Sequence, residues 1–183
     1  VVWLSTREGI AKTKQQQNEY KFSVYRHDLN PENKFLLNAT AFLDHNNNDE
    51  LWVGTETNGL FRINGKTMKQ VAHYIIDEND DKSFSSFGVK TLHGASDGTV
   101  WIGTAGEGLY RYNKNEDNFD RWSVHNGLPS NTVLSIISDK DGAIWMGTRR
   151  GISKLQKNKN IQSFEISDGL PADIFNQGSV AIH

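Results

Sequence analysis

A tryptophan recurs four times along this chain, each time within nearly the same short sequence. The four are Trp3, Trp52, Trp101 and Trp145, and they are separated by 49, 49 and 44 residues. A glycine stands two positions after each of the last three, at Gly54, Gly103 and Gly147. A short sequence that returns at a nearly fixed interval is the mark of a repeat architecture. The chain is therefore predicted to be an array of four similar units.

The sequence around each tryptophan predicts a β-strand that is buried on both faces. Side chains alternate across a strand, so in residues 51–55 Trp52 and Gly54 share one face while Leu51 and Val53 share the other. Both faces are apolar, as expected for a sheet that lies between two neighbouring sheets. We interpret the tryptophans as core residues, and the glycine as the position that leaves room for the next unit.

Turn sequences divide each unit into four strands. Asp97-Gly98 and Asp141-Gly142 precede a tryptophan, and this residue pair tolerates the positive φ of a tight hairpin. In the last unit we expect strands near residues 132–138, 143–148, 151–155 and 161–166. Each fourth strand carries an aromatic residue: Tyr25, Tyr74, Trp122 and Phe164. Four strands in roughly 40 to 50 residues make one blade of a β-propeller.

The predicted fold is therefore all-β, with propeller blades of four antiparallel strands. The chain is expected to form one propeller or propeller segment, with three complete blades and a fourth split between the termini. The blades fall at approximately residues 1–25 plus 174–183, 36–75, 88–124 and 132–166. The ends could meet in a four-bladed ring, pair with a second copy of the chain, or take missing blades from residues outside this sequence.

These units resemble the two-component regulator propeller repeat. The resemblance rests on residues 51–62, on residues 100–112, and on Gly127-Leu128-Pro129-Ser130-Asn131 leading into the strand before Trp145. It extends over nearly the whole chain and recurs four times. Ser5 departs from the pattern, because it stands where the other units have glycine.

The resemblance implies a role in signalling. Repeats of this family form the extracytoplasmic sensor of bacterial histidine kinases and related regulators, so the expected location is the periplasmic or extracellular side of the inner membrane. The expected partner is a small-molecule or oligosaccharide ligand. The chain itself is expected to bind this ligand and not to be an enzyme. Contact with the membrane is expected only through absent downstream segments. The alternatives are a glycan-active enzyme on a propeller and a scaffold for protein contacts.

Composition argues against several other functions. The 20 basic and 22 acidic residues give a formal net charge of −2, which does not favour nucleic-acid binding. The chain has no cysteine and its six histidines lack metal-ligand spacing. Residues 44–50 place oxygen ligands at alternate positions, but they lack the central glycine of an EF-hand and read as a hairpin loop. We therefore predict no catalytic residue, no metal and no cofactor.

A ligand is expected at one mouth of the propeller channel. The loops between second and third strands gather there with the segments that lead into the inner strands. Loop residues that differ between units carry the specificity of a binder whose strands repeat. The candidates are Arg7, Glu8, Glu56, Asn58, Glu107, Asn131, Arg149, Arg150 and Asp173. Arg149 and Arg150 stand out, since a guanidinium group binds a carboxylate or sulfate as a planar fork.

Overall fold

The computed structural model contains four antiparallel sheets, each formed by strands that are consecutive in sequence. It describes residues 2–6, 8–16, 19–29, 31–45, 50–75, 83–84, 86 and 88–178. Each sheet is one blade. The first strand of the first blade carries the repeated Trp3, so it corresponds to the second strand of the other blades.

The first blade has three strands, β1 (Val2–Thr6), β2 (Gly9–Gln16) and β3 (Glu19–Arg26). The second blade is formed by β4 (Ala39–His45), β5 (Glu50–Thr55), β6 (Leu60–Asn64) and β7 (Gln70–Tyr74). The third is formed by β8 (Val89–Gly94), β9 (Val100–Thr104), β10 (Leu109–Asn113) and β11 (Asn118–Trp122). The fourth is formed by β12 (Val133–Ser138), β13 (Ile144–Thr148), β14 (Ile152–Leu155) and β15 (Ile161–Phe164). The predicted all-β fold with four-stranded blades is confirmed.

The only helical elements among the described residues are four single 3₁₀ turns, at His27–Leu29, Lys34–Leu36, Val124–Asn126 and Ile166–Asp168. The last of these ends the fourth blade earlier than the sequence suggested. The predicted strand extends to Ile166, whereas β15 ends at Phe164. The cause is a local cap, in which the Asp168 side chain accepts a hydrogen bond from the Glu165 backbone N–H at 2.9 Å.

The core consists of three apolar clusters, one between each pair of neighbouring blades. Trp52 and Leu60 of the second blade pack against Val100, Ile102 and Tyr110 of the third. A similar cluster joins the first and second blades, and another joins the third and fourth. Each internal blade is thus buried on both faces, as the apolar faces of its second strand predict.

The outer faces of the array lack this cover. Val2, Leu4, Phe22 and Val24 of the first blade are large apolar residues that remain exposed. On the fourth blade Trp145 is only half-buried, whereas Trp52 is fully buried. The two end blades therefore present apolar surface that a neighbouring blade covers elsewhere in the chain.

The C-terminal segment lies against the fourth blade. Gly178 donates its backbone N–H to the Leu134 carbonyl at 3.0 Å, and the Phe175 side chain contacts the Gly147 region. Val89 and Val133 occupy the corresponding places on the second and third blades. Residues 174–178 form no strand with β1, and residues 179–183 lie outside the described part of the chain. The pairing of the two termini into one split blade stays a prediction.

Candidate functional site

One edge of the array is formed by the loops between second and third strands together with the segments that lead into the inner strands. Backbone hydrogen bonds join the two sets of loops. Arg149 donates to the Thr132 carbonyl at 3.3 Å, at the start of the inner strand of its own blade. Gly108 donates to the Asn131 carbonyl at 2.7 Å, at the start of the next blade. We call this edge the mouth edge; these hydrogen bonds place the loop after a second strand beside the segment that leads into an inner strand.

The threonine of the repeated sequence holds each mouth-edge loop in place. Thr104 Oγ1 donates to the Gly108 carbonyl at 2.8 Å and accepts the Glu107 N–H at 3.1 Å. Thr6, Thr55 and Thr148 make the same pair of bonds in the other blades. Because all four threonines are hydrogen-bonded to the backbone in this way, the loop framework is constant while the residues on it vary.

Two of the candidate residues belong to this framework. The Asn131 side-chain oxygen accepts the Val124 backbone N–H at 2.8 Å. The Asp173 carboxylate accepts the Ile166 N–H in the same way at 3.1 Å. Asn131 thus closes the connection between the third and fourth blades, and Asp173 closes the equivalent turn after the fourth blade, which gives both a structural role.

In every blade a glycine stands at or just before the start of the third strand, and the residue before this glycine contacts the end of the fourth strand. These glycines are Gly9, Gly59, Gly108 and Gly151. Glu8 lies 3.9 Å from Arg26, and Glu107 forms an ion pair with Arg121. The fourth blade reverses the charges, because Arg150 lies 3.6 Å from Glu165. In the second blade the Asn58 carbonyl contacts His73 Nε2 at 2.7 Å.

Arg149, Arg150 and Glu56 remain available to a ligand. Arg150 is 68% exposed despite its partner, so the ion pair is too solvated to hold it firmly. Arg149 and Glu56 are exposed, and no carboxylate lies within 4 Å of Arg149 among the residues that the structure describes. Arg7 lies outside the described residues.

The repeated glycines mark the closest approach of neighbouring blades. A Cβ on Gly54 would lie 2.3 Å from Val89 Cγ1 of the third blade, and one on Gly103 would lie 2.9 Å from Val133 Cγ1 of the fourth. At Gly147 the nearest atom, Ser135 Oγ at 2.5 Å from the Cβ position, belongs to the same blade. The third and fourth blades can pack closely on Gly54 and Gly103 only because those positions lack a side chain.

Each of the four repeated tryptophans stands opposite a cation on the third strand, a feature that the sequence reasoning missed. Lys12 Nζ lies 4.7 Å from the Trp3 ring centroid, and Lys154 Nζ lies 4.7 Å from that of Trp145. Arg62 lies over Trp52 at 5.7 Å, and Arg111 pairs with Trp101 across the strands. The signal was present as a basic residue nine or ten positions after each tryptophan.

A second missed feature is a polar cluster between the second and third blades. The Tyr74 and Tyr112 hydroxyls donate to the same Asp117 oxygen at 2.7 and 2.6 Å, and Arg62 lies 3.7 Å from that oxygen. Burial, with the Asp117 hydrogen bond, raises the pKa of Tyr74. The Tyr112 hydrogen bond lowers the pKa of Asp117, so this carboxylate stays ionised. The cluster fastens the two blades together.

The tryptophan of the fourth blade also has a carboxylate partner. Trp145 Nε1 donates to Asp139 at 2.9 Å, and Lys154 lies 3.3 Å from the same carboxylate. The Trp145 hydrogen bond lowers the pKa of Asp139 to about 2. This group lies on the outer face of the fourth blade and not at the mouth edge.

The described residues contain no group of three or more histidine, aspartate or glutamate side chains that could hold a metal ion. The loop weighed as a calcium site lies largely outside the described part of the chain, because residues 46–49 are not described. Within the described ranges no helix is long and apolar enough to cross a membrane.

Stacked four-stranded sheets with these loops define the chain as a series of β-propeller blades. Residues 127–150 match the model of a known family, the two component regulator propeller. The chain therefore carries a repeat of that family, and the resemblance found in the sequence is confirmed. No curated protein matches the chain.

Solved structures show the same fold. An extracellular domain from B. thetaiotaomicron, of a protein described as a hybrid two component system, is 22% identical with a TM-score of 0.82. The match covers 98% of this chain and 23% of that one. A second such domain from the same organism is 23% identical with a TM-score of 0.66, over 88% of this chain and 19% of that one. This chain thus spans less than a quarter of either protein.

An enzyme with the same fold also matches. Virginiamycin B lyase from Staphylococcus aureus is 19% identical with a TM-score of 0.56, over 78% of this chain and 43% of that one. At these identities the similarities establish the fold, and the same fold serves more than one function.

Proposed function

We propose that this chain is part of the ligand-sensing, extracytoplasmic region of a bacterial two-component signalling protein. The observation that carries the proposal is the family match of residues 127–150. The similar extracellular domains from B. thetaiotaomicron support it, because 98% of this chain superposes on one of them. The proposed location is the periplasmic or extracellular side of the inner membrane, with the membrane reached through segments outside this sequence.

The proposed ligand site is the mouth edge around Arg149 and Arg150. The frame of this edge is the same in every blade, whereas its exposed residues change from Glu56 to Glu107 to Arg149 and Arg150. Two neighbouring guanidinium groups can bind a carboxylate or sulfate through paired hydrogen bonds. The proposed ligand is a glycan-derived molecule with such a group, and Glu8, Asn58 and Asn131 shape the edge around it.

Calorimetry with a panel of neutral and acidic oligosaccharides tests this site. The double variant Arg149→Ala/Arg150→Ala should bind an acidic oligosaccharide at least about tenfold more weakly, which corresponds to about 1.4 kcal/mol. The control is Lys66→Ala/Lys69→Ala, which also removes two positive charges but changes the opposite edge of the second blade. Equal affinity in the wild type and the arginine variant would remove the site from consideration.

The exposed faces of the first and fourth blades call for a partner. Apolar faces of this kind are buried at every internal boundary of the array. We propose that further blades or a second copy of the chain cover Phe22 and Val24 at one end and Trp145 at the other. Large exposed apolar patches mark such interaction surfaces.

An enzymatic function is the alternative that a specific observation supports, because virginiamycin B lyase has the same fold. The two functions differ in what happens to the ligand. A sensor leaves an oligosaccharide intact after prolonged incubation, whereas a lyase or hydrolase cleaves it. Mass analysis of the oligosaccharide panel after incubation therefore distinguishes them, and binding of no small molecule would favour a scaffold for protein contacts.

A further inference from the structure

A groove of about 390 Å³ lies between the third and fourth blades, at the edge opposite Arg149. The Trp101 and Trp122 rings, with centroids 5.5 Å apart, form its apolar wall. The other walls of the groove are formed by turns of the third and fourth blades, which join first to second strands and third to fourth strands. Its charged lining residues are Arg111, Lys140, Lys157, Lys159, Asp97 and Asp141.

The equivalent groove between the second and third blades provides an internal reference. It has a similar volume, about 370 Å³, and is lined by Trp52 and Arg62, which correspond to Trp101 and Arg111. There the arginine is compensated from both sides. Arg62 lies 3.9 Å from Glu50 and 3.7 Å from Asp117, and it donates a hydrogen bond to the Tyr112 hydroxyl.

Both of these carboxylates are replaced in the groove between the third and fourth blades. Glu50 stands two residues before Trp52, and Thr99 holds that place before Trp101. Asp117 adopts a left-handed backbone, φ 50°, near the end of the turn between its third and fourth strands. Lys159 holds the corresponding place in the fourth blade, with φ 68°. A carboxylate that compensates one groove has therefore become a cation in the next.

The three lysines of this groove lack the compensation that Arg111 has. Arg111 donates two hydrogen bonds to Asp120 of its own blade, through Nε and Nη2. Among the residues that the structure describes, no carboxylate oxygen lies within 4 Å of the ammonium groups of Lys140, Lys157 or Lys159. Lys157 is held across the neighbouring turn, since its Cε lies 2.8 Å from the place a Cβ on Gly142 would occupy.

We propose that this groove binds a small molecule that carries a sulfate or carboxylate group. The three lysines would supply the positive charge around the oxyanion. Arg111, whose Nε and Nη2 donate to Asp120, would offer its remaining N–H groups. The indole wall offers an apolar surface to the remainder of the ligand, and the groove is large enough for more than a bare ion. This site is separate from the mouth edge and does not depend on a ligand binding there.

Calorimetry with three probes tests the proposal: inorganic sulfate, a monosulfated disaccharide and the unsulfated parent disaccharide. We expect the sulfated disaccharide to bind, with an affinity that falls as sodium chloride is raised. Lys159→Asp should weaken this binding at least tenfold. The substitution is compatible with the backbone, because Asp117 already adopts the same left-handed conformation in the neighbouring groove.

Lys69→Asp is the control, since it makes the same charge change in the corresponding turn of the second blade. It should bind the sulfated disaccharide as the wild type does. Equal binding of sulfate alone and sulfated disaccharide would assign the groove to a free inorganic anion. Binding that survives Lys159→Asp, binding of the unsulfated disaccharide with equal affinity, or no binding of any probe would overturn the proposal. In Arg149→Ala/Arg150→Ala, which lacks the arginines of the mouth edge, the sulfated disaccharide should still bind and Lys159→Asp should still weaken that binding, which separates the groove from the mouth edge.

Discussion

The contact between Gly54 and Val89 gives the sharpest test of how the blades pack. A methyl group on Gly54 would lie 2.3 Å from Val89 Cγ1 and 2.7 Å from Val89 Cβ, and all its near neighbours belong to the Val89 side chain. Replacing glycine by alanine in a strand gains roughly 0.5–1 kcal/mol from the unfolded chain. Overpacking of a buried contact costs about 1–3 kcal/mol. We therefore expect Gly54→Ala to destabilise the chain.

A second variant, Val89→Ala, turns this contact into a double-mutant cycle. Val89 is fully buried, so loss of its two methyl groups should cost about 2 kcal/mol. In the double variant the contacts with Val89 Cγ1 and Cγ2 are gone, and only the Cβ of residue 89, at 2.7 Å, still has to shift away from the new methyl. Its destabilisation should be smaller than the sum of the two single effects by at least about 1 kcal/mol.

Urea unfolding followed by tryptophan fluorescence measures the three free energies. Gly103→Ala with Val133→Ala is a matched comparison, because there Thr91 Cγ2 lies 2.6 Å and the Val133 carbonyl oxygen 2.9 Å from the Cβ position. Truncating Val133 removes neither of these two contacts, so this pair should recover less. Strictly additive energies at Gly54 and Val89, or a neutral Gly54→Ala, would refute the packing argument.

Two further predictions concern the blade boundaries. Tyr112→Phe should cost about 0.5–1.5 kcal/mol by removing the hydroxyl that bonds Asp117 and Arg62, and the part of the loss that is due to Asp117 should disappear at acid pH. The pKa of Asp117 is lowered in the folded state, so the stability that its carboxylate contributes is complete above its unfolded pKa of about 3.9 and disappears as the pH falls through the folded value. Urea midpoints of the wild type and the variant between pH 2 and pH 6 measure this contribution. An equal loss of stability at every pH would contradict the prediction. The exposed apolar faces of the first and fourth blades should make the isolated chain associate as its concentration rises, which sedimentation velocity measures. Phe22→Lys should reduce this association. A wild type that stays an open monomer at every concentration would contradict the prediction.

The repeat itself could be predicted from the sequence because its signals are local. The spacing of the tryptophans gave the number of blades, and Asp97-Gly98 and Asp141-Gly142 form the expected turns, with glycine φ of 84° and 79°. In the second and fourth blades the aromatic residue on the fourth strand stacks on the tryptophan of its own blade, with ring centroids 5.7 Å apart for Trp52 and Tyr74. A period of this kind determines which residues face a neighbouring blade before any contact is known.

The polar contacts between blades could not be predicted in this way. Arg62 meets Asp117 across 55 positions of sequence, and nothing near either residue points to the other. Asn131 was expected at a ligand site because it is polar and in a loop, yet its side-chain oxygen accepts a backbone N–H seven residues earlier. Alignment of the four repeats against one another would have detected the exchange of Asp117 for Lys159.

Hydrogen–deuterium exchange with and without a bound acidic oligosaccharide tests the central claim, that the strands hold a variable mouth edge which binds the ligand. We expect protection in the loop peptides containing residues 104–108 and 148–151, with little change in β9 and β13. Protection of those loops should disappear in Arg149→Ala/Arg150→Ala. Protection confined to other parts of the chain, with a ligand that calorimetry shows to be bound, would contradict the account.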